Sequence, residues 1–155
     1  MVRSLQNIIR FIILLTIALP INHLTAQNQT FLHYTSCDGL PSAFIYQIMQ
    51  DSNGFIWICT DAGLSKFDGY HFTNYVNDPD DTLSISGRVV RTIRELPGQG
   101  FLAGTFGGLD LFDPLYGSFH KINLSNTTHQ INLVFDFQIV EEGDLWIADR
   151  NGLYY

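Results

Sequence analysis

Three features of this 155-residue chain predict an all-β fold of β-propeller blades: four-stranded antiparallel repeats in an incomplete open arc of two full blades plus a partial third. The first is a repeat. Shifted by 45 residues, Thr60, Gly63, Leu64, Phe67 and Asp68 fall on Thr105, Gly108, Leu109, Phe112 and Asp113. Shifted by 89, Gly54, Trp57, Ile58, Gly63 and Leu64 fall on Gly143, Trp146, Ile147, Gly152 and Leu153. The second is a set of short β-branched or aromatic runs at the same offsets, each bounded by Gly, Asp or Asn. The third is composition: 46% hydrophobic and 14% aromatic but only 15% charged, against about 25% charged in an average globular domain. Disorder is excluded, and a charged helical protein is disfavoured.

In chain order, residues 1–26 read as a signal peptide. Arg3 and Arg10 form a basic start, Phe11–Leu19 an apolar run, and Ala26 a small residue at the cut. The run is too short for a membrane span of about 20 residues. The rival reading, an uncleaved anchor, draws on Ile8, Ile9 and the imperfect Leu24. Export follows from both. Residues 27–42 form a leading outer strand (Phe31–Tyr34) and a linker. Blade 1 occupies 43–87, blade 2 occupies 88–132, and a partial blade 3 occupies 133–155. The inner strands center on Phe44–Ile48, Val89–Ile93 and Leu133–Phe137, and the outer strands on Phe72–Tyr75 and Phe119–Ile122. Phe67 would recur at position 156, beyond Tyr155, so the expectation is a fragment of a longer propeller whose folding in isolation is doubtful.

The recurring positions have physical reasons. Gly63, Gly108 and Gly152 suit tight turns that need positive φ. Leu64, Leu109 and Leu153 then read as buried side chains. Cys59, Gly104 and Ala148 are small, as expected where neighboring sheets approach closely. Trp57 and Trp146 read as apolar filling between blades, with Leu102 a smaller substitute, rather than as sugar-stacking platforms. Cys59 reads as a buried side chain and Cys37 as a loop residue, so no disulfide scaffold is expected.

No catalytic constellation emerges, and no cofactor or metal is called for. The five histidines (His23, His33, His71, His120 and His129) lack ligand spacing. Asp78, Asp80 and Asp81 lack the ligand ladder of a calcium loop and read as a solvated linker. Asp51–Gly54 reads as a turn. Residues 1–26 carry +2, leaving −9 on residues 27–155 of a chain whose net charge is −7. Phosphate backbones are repelled, so nucleic acid is excluded as a partner. Arg88, Arg91 and Arg94 stand out against this acidity on one inner-strand element, where pairing with carboxylates is favored over gripping an acidic sugar. Tyr46, Arg91 and Phe135 occupy equivalent positions and are expected to face a common surface, yet the sequence names no binding residue. Asn28, Asn123 and Asn126 start Asn-x-Ser/Thr triplets, which matter only in a eukaryotic secretory host.

The segments Gly54–Thr60 and Gly63–Gly69, with Asp38-Gly39-Leu40-Pro41-Ser42 and Gln50–Gly54 before them, resemble the two-component regulator propeller repeat. The resemblance covers about residues 30–155. Leu96-Pro97, Leu102 and Cys59 depart from its usual turn, Trp and Gly. The resemblance implies a periplasmic sensor of a two-component system, common in glycan-degrading Gram-negative anaerobes. Its full layout would add further propeller, a β-sandwich, a transmembrane helix and a cytoplasmic histidine kinase. It also implies oligosaccharide ligands, contact with the remainder of the sensor ectodomain, and a homodimeric, inner-membrane-anchored parent. The kinase would belong to that parent, since these residues carry no enzyme chemistry. The rival readings are a protein–protein interaction propeller without a small ligand, and a propeller lyase, which would need an acid–base pair that is not seen here.

Overall fold

The computed structural model describes residues 30–123, 131–140 and 144–155. The expected signal peptide, His23, His129, Asn28 and Asn126 lie outside the described residues. Strands β1 (Ile45–Gln50), β2 (Ile56–Thr60), β3 (Gly63–Phe67) and β4 (Phe72–Tyr75) form one antiparallel sheet in chain order. Strands β5 (Val90–Leu96), β6 (Gly100–Thr105), β7 (Gly108–Asp113) and β8 (Ser118–Lys121) form a second of the same order. Strands β9 (Val134–Ile139), β10 (Leu145–Asp149) and β11 (Gly152–Tyr154) form a third, three-stranded sheet. These are two complete blades and a partial third. Among the described residues, no helix is long and apolar enough to cross a membrane.

The turn from β2 to β3 shows how local chemistry builds each blade. Thr60 Oγ1 accepts from the Ala62 amide at 3.1 Å and donates to the Gly63 carbonyl at 2.8 Å. Gly63 has φ +126°, and a Cβ there would lie 2.5 Å from the Tyr75 carbonyl oxygen, so only glycine fits between the two strands. Thr105 repeats the arrangement with Gly107 and Gly108 at 3.0 and 3.1 Å. In the third blade Asp149 replaces Thr, and its Oδ1 accepts from the Asn151 and Gly152 amides.

Alternate residues of a strand face opposite sides, and the middle sheet is covered on both. One face carries Val90, Ile93, Phe101, Phe112 and Phe119, packed with Trp57, Cys59 and Leu64 of the first sheet and with Ile85. Trp57 lies at the center, its ring centroid 4.7 Å from Phe101 and 5.4 Å from Phe112. A buried aromatic removes roughly 200 Å² from water, which at ~25 cal/mol per Å² contributes about 5 kcal/mol before entropy is counted. The other face carries Leu102 and Leu109 against Ile131, Val134, Phe137 and Ile147. Gly104 permits this approach: a Cβ there would meet Thr92 Cγ2 and Val134 Cγ1, each at 2.7 Å.

Three expectations need correction. Leu153 is 65% exposed, whereas Leu64 and Leu109 are buried, and Trp146 is 38% exposed against Tyr155. Among the described residues no sheet covers that face of β9–β11, and burial of a blade residue depends on its neighbor. Phe31–Tyr34 is not a strand, because no sheet edge among the described residues pairs with it. Tyr34 nonetheless takes the place that an outer-strand aromatic takes in the next blade. It lies 5.1 Å from Phe67 and 5.6 Å from Phe72, as Tyr75 lies 5.0 Å from Phe112 and 5.5 Å from Phe119. Finally, Arg88 precedes β5 and is exposed, so the three arginines do not share one strand.

Candidate ligand-facing site on the inner strands

The inner strands β1, β5 and β9 each carry a register irregularity at the same place. Ile45 pairs with Thr60 and Gln47 with Cys59, which leaves Tyr46 without a partner across the ladder. Val90 pairs with Thr105 and Thr92 with Gly104, leaving Arg91. Val134 pairs with Asp149 and Asp136 with Ala148, leaving Phe135. A bulge redirects the extra side chain out of the alternating pattern. Here it brings the three equivalent residues together. The Arg91 guanidinium carbon lies 4.2 Å from the Tyr46 ring centroid and 5.7 Å from that of Phe135. The arrangement is a cation between two aromatic faces. Phe106, on the β6–β7 turn, meets Phe135 edge-on at 6.0 Å.

Side chains next to the bulges hold the sheets in place. Gln47 acts as an extra strand rung, accepting from the Ile93 amide at 2.9 Å and donating to the Ile93 carbonyl at 3.2 Å. One blade later Thr92 donates to Asp136 Oδ1 at 3.1 Å. The same oxygen accepts from the Phe137 amide and lies 3.6 Å from Arg94 Nη2. Arg94 also donates to the Thr92 hydroxyl and the Ile93 carbonyl. Tyr46, Gln47, Arg91, Thr92, Arg94, Phe135 and Asp136 together line a recess of about 440 Å³, within the size range of small-ligand sites.

The expected pairing of arginines with carboxylates therefore holds for Arg94 and not for Arg91. The common surface expected of Tyr46, Arg91 and Phe135 is present. The inter-sheet role of Gln47 is not legible in the sequence, although its fixed place one residue after the bulge is a usable signal. The other candidates have structural work. Asp78 and Asp81 accept from backbone amides within their own loop, at Asp80 and Leu83. Asp51 Oδ1 accepts from the Asn53 and Phe55 amides, and its Oδ2 accepts from the Trp57 indole. His33 and His120 are exposed. Cys59 is fully buried, and burial pushes its thiol up to about 12, so it is unreactive.

The family model of the two-component regulator propeller matches residues 39–62, the linker and first hairpin of blade 1. The histidine kinase P4 of Formosa agariphila is 42% identical over 84 residues, which make up 53% of this chain and 6% of that protein. The extracellular domain of the putative hybrid two-component system BT3049 of B. thetaiotaomicron superimposes with a TM-score of 0.66 at 24% identity. That likeness covers 80% of this chain and 20% of the other, and at such identity it speaks for the fold alone. The extracellular domain of the putative one-component system BT4673 of the same organism gives 0.63 at 25% identity, covering 72% of this chain and 16% of that one. The chain thus spans only a small part of each of these relatives. Residues 39–62 thus carry the two-component regulator propeller repeat, and the hairpin that they form recurs in the second and third sheets with the same register.

Proposed function

We propose that this chain forms part of the ligand-sensing propeller of a two-component regulatory system, exported by residues 1–26 and facing the periplasm. In the whole protein, a histidine kinase across the inner membrane reads out its state. The observation that carries this reading is the 42% identity to a histidine kinase over 84 residues. The likeness to the extracellular domain of the one-component system BT4673, at 25% identity, supports its placement outside the cytoplasm.

The ligand class we assign is an oligosaccharide released by polysaccharide breakdown. The recess on the bulged strands supports this, because it offers aromatic faces beside hydrogen-bonding groups on the surface where inner strands meet. Binding there would stabilize one arrangement of the blades, and only a ligand with different affinities for two arrangements can shift the output. Thermal unfolding of the whole ectodomain with a panel of oligosaccharides tests the reading. Saturation with one class should raise the melting temperature and alter kinase output in the intact protein. No shift with any saccharide, combined with capture of a specific protein partner, would replace it with an interaction propeller.

A further inference from the structure

The recess is more selective than a generic sugar site, and the selectivity comes from Arg91. Its guanidinium lies between Tyr46 and Phe135 with no carboxylate within salt-bridge distance among the described residues. Its Nε is buried and without a hydrogen-bond partner. The other charged groups of the recess are already occupied. Arg94 faces Asp136, and Asp136 Oδ1 also serves Thr92 and Phe137. The recess therefore holds one uncompensated positive charge, in a chain whose residues 27–155 carry −9. The Tyr46 and Phe135 rings flank the guanidinium. A planar fork with free donors is the geometry that recognizes a planar or tetrahedral oxyanion through two parallel hydrogen bonds. Tyr46 and Phe135 are 41% and 40% exposed, so their outer surfaces stay open to the apolar face of a sugar ring.

We infer that Arg91 is an anion-binding residue and that the recess takes an acidic oligosaccharide, held through a carboxylate or sulfate group. This rests on the oligosaccharide reading above and narrows it. Both anions share the chemistry, and the test separates them. The whole ectodomain is titrated calorimetrically with three matched tetrasaccharides: a galacturonic acid tetramer, a sulfated galactose tetramer and an uncharged galactose tetramer. One acidic tetramer should bind at least about tenfold more tightly than the uncharged one. Its affinity should fall as salt is raised.

Arg91→Met should lose at least about tenfold in affinity while the unfolding midpoint moves little. Arg91→Lys, which keeps the charge and loses the fork, should fall between. The lysine variant and the salt series on the unaltered ectodomain still decide the matter if the methionine variant fails to fold. Equal binding of charged and uncharged tetramers, or an Arg91→Met variant that binds the acidic tetramer normally, overturns the inference and leaves the oligosaccharide reading standing. Failure of all three tetramers to bind the ectodomain overturns both.

Discussion

Asp51 and Trp57 are bound to each other in a way a double-mutant cycle can measure. The indole Nε1 donates to Asp51 Oδ2 at 2.8 Å in a buried setting, and Trp57 is 1% exposed. Asp51 Oδ1 meanwhile accepts from the Asn53 and Phe55 amides, so one carboxylate joins the β1–β2 turn to the core between sheets. Trp57→Phe removes the donor and leaves a buried carboxylate oxygen without its partner. Asp51→Asn presents an amide that cannot serve both the turn amides and the indole. Leaving a buried polar group unsatisfied costs about 1–3 kcal/mol in either single variant. In the double variant the interaction is lost once rather than charged to both partners. The two single losses should therefore exceed the double loss by about 1–2 kcal/mol. The middle blade supports this, because Leu96 and Leu102 stand where Asp51 and Trp57 stand and both members of the pair are replaced together. The assay is urea unfolding of the four proteins followed by far-ultraviolet circular dichroism. A coupling below about 0.3 kcal/mol, the scatter expected of independent sites, would refute the reasoning.

Three further outcomes follow from other parts of the structure. Gly104→Ala places a methyl 2.7 Å from both Thr92 Cγ2 and Val134 Cγ1 and should destabilize by about 1–3 kcal/mol through overpacking; an unchanged urea midpoint would show that the second and third sheets are not in close contact. A thiol reagent at pH 8 should modify one cysteine per folded chain, the exposed Cys37, and two in denaturant, because Cys59 is buried with its thiol pushed up to about 12; rapid labeling of both without denaturant would contradict that burial. Burial raises the Asp110 carboxyl above its ordinary value of 3.8, against the opposing hydrogen bonds from Ser86 and the charge of Lys121. Folding thus favors its protonated form, so its contribution is fully present below 3.8 and is lost as pH rises through the raised folded value. The stability of Asp110→Asn relative to the unaltered chain should accordingly increase between about pH 4 and pH 7, read from urea midpoints; a difference that stays flat or falls would refute the assignment.

Much of the fold is written in local chemistry. The Thr-x-x-Gly turns at Thr60 and Thr105, the strand runs, and the small residues at Cys59 and Gly104 are visible at fixed offsets because each blade solves the same backbone problem. The equivalence of Tyr46, Arg91 and Phe135 is legible for the same reason, since a repeat places equivalent residues on one surface. The bulge that re-aims them is not, because a one-residue slip in register leaves no mark in the pattern of residue types. The division of labor among the arginines was equally hidden: Arg94 finds Asp136 and Arg91 finds two aromatic rings only once the sheets are side by side.

By itself, then, the sequence determined the repeat, the all-β class and the residues that each blade shares, since these depend on spacing along one chain. The tertiary structure decided which of those shared residues are covered. Leu64 and Leu153 are equivalent by sequence, yet one is fully buried and the other is 65% exposed. Hydrophobic burial is a property of two surfaces, and the sequence of one blade specifies only its own.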